Sequence, residues 1–237
     1  AQEVNEKTNG MFEIEVLSLS DYATKYNEGK KVTKYDLMDL INSGAIEMSH
    51  IYTTWLADYN KDLHALDLPF LFKDHSHADR VLEGEIGQSL MKGVAEQSNV
   101  QGLAFTYSGG FRIVPSKQAV ERLEDFYRMN IGCGNNPVAQ DTFAAVGANP
   151  VPMYIEDLES YLQAGRVDGG ETTYTRYFVL GHDKQTNYIN DNEHSLFLTS
   201  LIINQQTWLA LGEKVQGIFA RAALRAAQIE RDHSLAD

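Results

Sequence analysis

The sequence holds one cysteine, Cys133, so it can form no intrachain disulfide and no zinc site built on several thiolates. It has no apolar run near the roughly 18 residues that a membrane-spanning helix needs. Basic residues are the scarcer charge. Twenty Lys and Arg stand against 33 Asp and Glu, a formal charge of −13. A phosphate backbone would be repelled by such a surface, so no nucleic acid is expected as a partner, and no anionic membrane surface either. No Gly/Ser-rich linker, fixed-period repeat or low-complexity segment divides the chain. The start, Ala1 to Lys7, lacks the basic and apolar regions of a signal peptide. There is no His-Glu-x-x-His pattern and no Gly-x-Ser-x-Gly elbow. No catalytic residue, metal ligand or cofactor is therefore expected.

What is present is an ordinary globular composition, 43% apolar and 22% charged over 237 residues, enough for one large domain or two small ones. Residues 1–9 read as the tail of a helix stopped by Thr8-Asn9-Gly10, with Gly10 free to turn left-handed. Because a globular α/β chain rarely begins inside a helix, an earlier strand is expected upstream. The uncapped end at Asp237 points to a continuation there as well. Met11 to Leu19 alternates like a strand, and Asp21 to Val32 reads as loop. Further helices are expected over Tyr35–Ser43, Ser76–Gln97 (weakened by Gly84 and Gly87), from Pro137 toward Gly147, and over Ile155–Ala164. Strands are expected at Ala45–Ile51, Val100–Tyr107, Met129–Cys133, Val167-Asp168 and Ser195–Ile203. The last is nearly all apolar, as in a strand buried on both faces, and helices carrying Trp208 and Val215–Ile229 follow it. The alternation predicts an α/β fold with mainly parallel strands.

Four local patterns invite a chemical reading. Asp74-His75-Ser76-His77 offers two imidazoles but no third ligand, and reads as a polar loop whose Asp or Ser caps the next helix. Ser108-Gly109-Gly110 lacks the Lys-Ser/Thr ending of a phosphate loop and reads as a bend. Arg112 follows it among Tyr107, Phe111 and Ile113. There a guanidinium either reaches into a cleft toward a carboxylate or pairs with a surface acid. Asp168-Gly169-Gly170-Glu171 joins two carboxylates to a flexible turn. It allows a two-lobed hydrolase or lyase as an alternative, although no spacing signature for that chemistry is present.

An ordered set of segments carries a resemblance. They are Glu6-Lys7-Thr8-Asn9-Gly10, Asp67-Leu68-Pro69-Phe70-Leu71-Phe72, Gly110-Phe111-Arg112, Val146 to Met153, Leu162 to Glu171, and His194 to Ile203 leading into Trp208. In order and spacing, over nearly the whole chain, they resemble the solute-binding proteins of tripartite ATP-independent periplasmic (TRAP) transporters, C4-dicarboxylate type. The resemblance implies a two-lobed α/β fold of the periplasmic-binding-protein kind with mixed, mostly parallel sheets. Lobe I is expected at 1–111 plus 198–237 and lobe II at 112–197. It also implies a periplasmic, monomeric receptor that closes on a small, carboxylate-bearing solute and delivers it to the TRAP membrane permease subunits. A sensor module on the same fold is a further alternative.

The resemblance also carries over site residues. Arg112 matches a family Arg that faces the cleft, Tyr52 and Trp55 fall near positions lining the first lobe's wall, and Ile155 falls near one that packs on the ligand. Asn135 and Thr172 are expected to supply shape and hydrogen bonds, Thr172 standing where the family often has Asn. Glu159 stands where it commonly has Tyr. The chief departure is at Asn130-Ile131-Gly132-Cys133-Gly134-Asn135-Asn136-Pro137. Anchored on Asn136-Pro137, the family's carboxylate-clamping Arg falls on Gly132. Losing such a pair costs on the order of 2–5 kcal/mol. Another cation, with Arg128 four residues upstream the nearest in sequence, or another pose is therefore expected.

Overall fold

The computed structural model describes residues 1–236. The strands among the described residues are β1 (Met48–Tyr52), β2 (Val100–Phe111), β3 (Val114–Ser116), β4 (Asn130–Cys133), β5 (Asn149–Pro152), β6 (Gly169–Gly170), β7 (Tyr188–Asn190) and β8 (Leu196–Asn204). The α-helices among the described residues are α1 (Gln2–Lys7), α2 (Leu19–Tyr26), α3 (Leu37–Ser43), α4 (His75–Glu83), α5 (Glu85–Gln97), α6 (Pro137–Ala145), α7 (Leu158–Gln163), α8 (Tyr174–Val179), α9 (Gln205–Ala210) and α10 (Gly212–Ala236). They form two compact units. The first comprises Ala1–Asn60, Arg80–Thr106 and Thr199–Glu230, and the second Lys61–Asp79, Tyr107–Leu198 and Arg231–Asp237.

In the first unit, β1 runs antiparallel to β8, with Met48 opposite Ile203 and Tyr52 opposite Thr199. Val4 of α1, Ile203 of β8 and Phe219 of α10 form a buried cluster, against which Phe12, Ile14, Trp208 and Val215 pack. Ala104, Ala223 and Ala227 form a second, where small side chains bring α10 close to β2. Helix α1 stops where its sequence says it should. Asn9 and Gly10 take φ of 53° and 77°, and the Gly10 N–H returns to the Asn5 carbonyl at 2.8 Å.

The second unit is built on a five-stranded sheet of order β5-β4-β6-β3-β7. Strand β4 is parallel to β5 and β6, whereas β3 is antiparallel to β6 and β7. The sheet is thus mixed, and the expectation of mainly parallel strands holds only around β4. Ile131, Phe126 and Phe143 are buried together with Val114 and Met129. Asn136 caps α6 through the Ala139 N–H at 2.9 Å, and Pro137 sits in the first turn as its fixed φ favours.

Local readings fail where a tertiary or capping contact decides. Residues 12–18 form no strand. Phe12 and Ile14 do alternate inward, Phe12 meeting Phe219 edge-on at 6.0 Å, but nothing pairs with their backbone as a ladder. Asp21 to Val32 is not all loop, because Ser18 and Asp21 form a capping box that starts α2. The expected helix over Ser76–Gln97 is two helices, interrupted at Gly84, whose extended backbone leaves a built Cβ only 2.5 Å from the Arg80 carbonyl oxygen. The bend at Gly109-Gly110, with φ of 85° and 78°, kinks β2 without ending it. Helix α8 and strand β7 were not anticipated.

Candidate functional site

Arg112 lies between β2 and β3, its backbone N–H donating to the Ser195 carbonyl at 2.8 Å. This turns its side chain inward, leaving the residue only 6% exposed. Nη1 donates to Ser195 Oγ at 3.0 Å and to the Leu196 carbonyl at 3.1 Å, and the guanidinium sits 4.3 Å over the Phe197 ring. Two carboxylates flank it. Asp67 Oδ1 is 3.8 Å from Nη1, and Glu171 Oε2 is 3.9 Å from Nε. Of the two readings open for Arg112, an ion pair is therefore present, but a buried one.

Glu171 is held on every side. Its Oε1 accepts the Gly134 N–H at 2.5 Å, its Oε2 lies 3.0 Å from His194 Nε2, and its own N–H donates to the Gly132 carbonyl at 2.8 Å. His194 is steadied by Asn192 Oδ1 at 2.9 Å and by the edge of Phe143 on α6. Burial by itself would raise the Glu171 pKa. The Arg112 charge, the His194 contact and the Gly134 N–H outweigh burial and hold it at about 2. Asp67 goes the other way. Burial, reinforced by the Glu171 charge and only partly opposed by Arg112, pushes it up to about 6. Burial, with Glu171 nearby, also pushes the Cys133 thiol up to about 12, which leaves it unreactive.

The ladder brings three of the expected site residues together. Gly132 on β4 stands opposite Gly170 on β6, and Thr172, two residues on, exchanges both backbone hydrogen bonds with Ile113 beside Arg112. Thr172 is fully buried, and its hydroxyl has no hydrogen-bond partner among the described residues. At Gly132 a built Cβ would stand 2.9 Å from Met153 Sδ and 3.1 Å from Leu158 Cδ1, so two apolar side chains fill that place. Asn135 is exposed in the turn before α6, and Ile155 is half-buried at the head of a 3-10 turn ending at Asp157. Arg128 is exposed, left-handed at φ 64°, and lies over Tyr127 before β4 begins. It does not replace the cation missing at Gly132.

Tyr52 and Trp55 belong to the first unit. Tyr52 ends β1 and Trp55 lies in the 3-10 turn Thr53–Asp58, both half-buried, with their rings edge-to-face at 5.2 Å. Tyr35 lies 6.4 Å from Trp55, and Lys34 Nζ lies 5.2 Å over Tyr35 and 5.7 Å over Tyr52. Trp55 is thus neither sealed into a core nor fully exposed.

The paired-carboxylate alternative is not favoured. Asp168 Oδ2 accepts the Asn130 N–H at 2.8 Å and so pins the start of β4, while Glu171 is consumed by Arg112, His194 and Gly134. Asp74 caps α4 through the His77 N–H at 2.7 Å, as its position implies, and His75 stacks on Phe111 at 4.7 Å. Sequence reasoning did not single out Asp67, His194 and Ser195 as members of the Arg112 cluster. Asp67 heads the Leu-Pro-Phe segment and His194 heads the last apolar strand, but no local spacing joins residues 67, 112, 171 and 194.

Two α/β units threaded by non-contiguous segments, with a buried guanidinium between β2 and β3, have the architecture of the periplasmic-binding-protein fold. The chain belongs to the bacterial extracellular solute-binding protein family 7 (DctP), whose profile matches residues 1–237. It is 27% identical over 231 residues to a solute-binding protein of Chromohalobacter salexigens, covering 98% of this chain and 66% of that one. It is 26% identical over 220 residues to the C4-dicarboxylate-binding periplasmic protein DctP of Rhodobacter capsulatus, covering 91% of this chain and 62% of that one. The chain thus spans about two thirds of the length of the curated relatives it matches. A TRAP periplasmic solute-binding protein of Roseobacter denitrificans, solved with bound β-D-glucuronate, superposes with a TM-score of 0.83 at 26% identity, over 98% of this chain and 74% of that one. The family is one of solute receptors.

Proposed function

We propose that this chain is the extracytoplasmic receptor of a TRAP transporter, which takes up a small organic acid in the periplasm and hands it to membrane permease subunits without reacting with it. What supports the reading is the family-7 match together with Arg112, a buried cation of the kind that recognises a carboxylate. In the second unit, Arg112 supplies charge, the orphaned Thr172 hydroxyl and Asn135 supply hydrogen bonds, and Gly132 and Ile155 supply shape. In the first, Tyr52 and Trp55 supply flat apolar faces suited to a sugar ring or a short carbon chain. The family's lobe division would fall at 1–111 with 198–237 and at 112–197, whereas the compact units put 61–79, 107–111, 198 and the segment from 231 in the second; the receptor is proposed to act as a monomer.

Because the R. capsulatus relative is named for C4-dicarboxylate binding and the R. denitrificans structure holds β-D-glucuronate, the first solutes to test are D-glucuronate and C4-dicarboxylates. At a solute concentration about 100 times its dissociation constant, binding adds about 2.7 kcal/mol. The melting temperature should then rise by roughly 2–4 °C for a chain of this size. A panel of sugar acids and dicarboxylates that leaves the melting temperature of the protein unmoved would remove the reading.

A further inference from the structure

This inference rests on the reading of Arg112 as a solute-binding residue and concerns what competes for it. One guanidinium is shared by two carboxylates, Glu171 buried and Asp67 largely so, and the two are held differently. Glu171 has the Gly134 N–H and the His194 ring as further partners. For the Asp67 carboxylate, Arg112 is the one polar partner among the described residues. With both acids ionised, a single cation faces two anions, and a solute carboxylate arriving there is a third claimant on the same charge.

We propose that Asp67 is a proton-controlled competitor for Arg112: ionised, it holds the guanidinium against a carboxylate-bearing solute, and protonated, it releases it, so acidic solutes bind more tightly below neutral pH. The surroundings of Asp67 are compatible with that role. Arg112 and Glu171 face it directly, with His194 and Cys133 beyond Glu171. Its own turn, Lys61–Asp67, carries Lys61 and Asp62 exposed and His64 half-buried. Helix α6 packs on that turn and brings one titratable residue, Asp141, which is exposed. Since burial lifts Asp67 to about 6, its charge changes between pH 5 and 7.5. A solute carboxylate is ionised throughout that range.

The test is the dissociation constant of D-glucuronate, measured by calorimetry at pH 5 and pH 7.5 on the unmodified chain, Asp67→Asn and Asp67→Ser. A competitor that must take up a proton weakens binding by the factor 1 + 10^(pH − 6), roughly 30-fold between those two pH values. The unmodified chain should show that loss and take up about one proton on binding at pH 7.5. Asp67→Asn and Asp67→Ser should bind at pH 7.5 about as tightly as the unmodified chain does at pH 5, with no proton uptake. Equal affinities for the unmodified chain at the two pH values, or the same slope in a folded Asp67 variant, overturn the inference and leave the solute-receptor reading intact. Failure of the unmodified chain to bind glucuronate or any acid of the panel at either pH overturns that reading, and this inference with it.

Discussion

Glu171 shows how a single carboxylate is made essential by its neighbours. It is buried, yet it meets a guanidinium, an imidazole and a backbone N–H. Removing one partner of such a pair leaves the other charge buried and uncompensated, which typically costs about 3–5 kcal/mol. Glu171→Gln is therefore expected to lower stability by about that amount, read as a shift of the urea midpoint at pH 7. The pH dependence has a definite sign. Glu171 is held at about 2 in the folded chain, against about 4.3 for a free Glu, so its contribution is complete above about pH 4.3 and is lost as pH falls toward 2. The gap between the unmodified chain and Glu171→Gln should narrow over that interval, and a gap that stays constant would show that the charge is not what stabilises the centre. Of this centre the sequence singled out Arg112, as a cation beside a bend, and Glu171, as one of two carboxylates at a turn, without joining them. The partners of Arg112 come from segments about 45 to 85 residues away, and neither the burial that raises both carboxylates nor the His194 and Gly134 contacts that bring Glu171 alone back down are local properties.

Among the elements, the ones set by short-range rules were readable. The stop of α1 at Asn9 and Gly10, the first-turn proline of α6, and the nearly all-apolar β8 each follow from contacts or burial patterns within a few residues. Replacing Asn136 by Ala removes the acceptor for the Ala139 N–H and is expected to cost about 1 kcal/mol, measurable by urea titration. Gly170 is a sterner case. A Cβ there would lie 2.5 Å from Leu158 Cδ1 and 3.0 Å from the Gly132 carbonyl. Gly170→Ala should cost more than Asn136→Ala, roughly 1–3 kcal/mol by overpacking, and Gly170→Ala with Leu158→Val should recover part of that loss. No recovery in the double variant would place the strain in the backbone and not on the Leu158 methyl. At 12–18 the alternation was real, but a strand also needs a partner backbone; at Gly84 the chain turns extended between two helices, in a place where a side chain would meet the Arg80 carbonyl.

For the molecule as a whole, the chain passes from one unit to the other at 60/61, 79/80, 106/107, 198/199 and 230/231, so neither unit is a continuous segment. The second unit's central stretch, Tyr107–Leu198, lacks Asp67 and the buried Leu63 and Leu66 when taken alone. A fragment of residues 107–198 is accordingly expected not to fold cooperatively, giving weak near-ultraviolet dichroism and no sharp thermal transition. A sharp transition for that fragment would show that Lys61–Asp79 is dispensable to the unit.

By itself the sequence determined the material: an acidic α/β chain, the caps and glycine stops, the most buried strand, and the ordered segments that mark family 7. These depend on neighbours a few residues apart or on composition, and both are written along the chain. Only the tertiary structure decided that the sheet around β4 is mixed, that Met153 and Leu158 occupy the space at Gly132, and that Asp67, Glu171 and His194 gather on Arg112. The physical reason is that strand pairing, close packing and desolvation are set by residues distant in sequence that become neighbours only on folding.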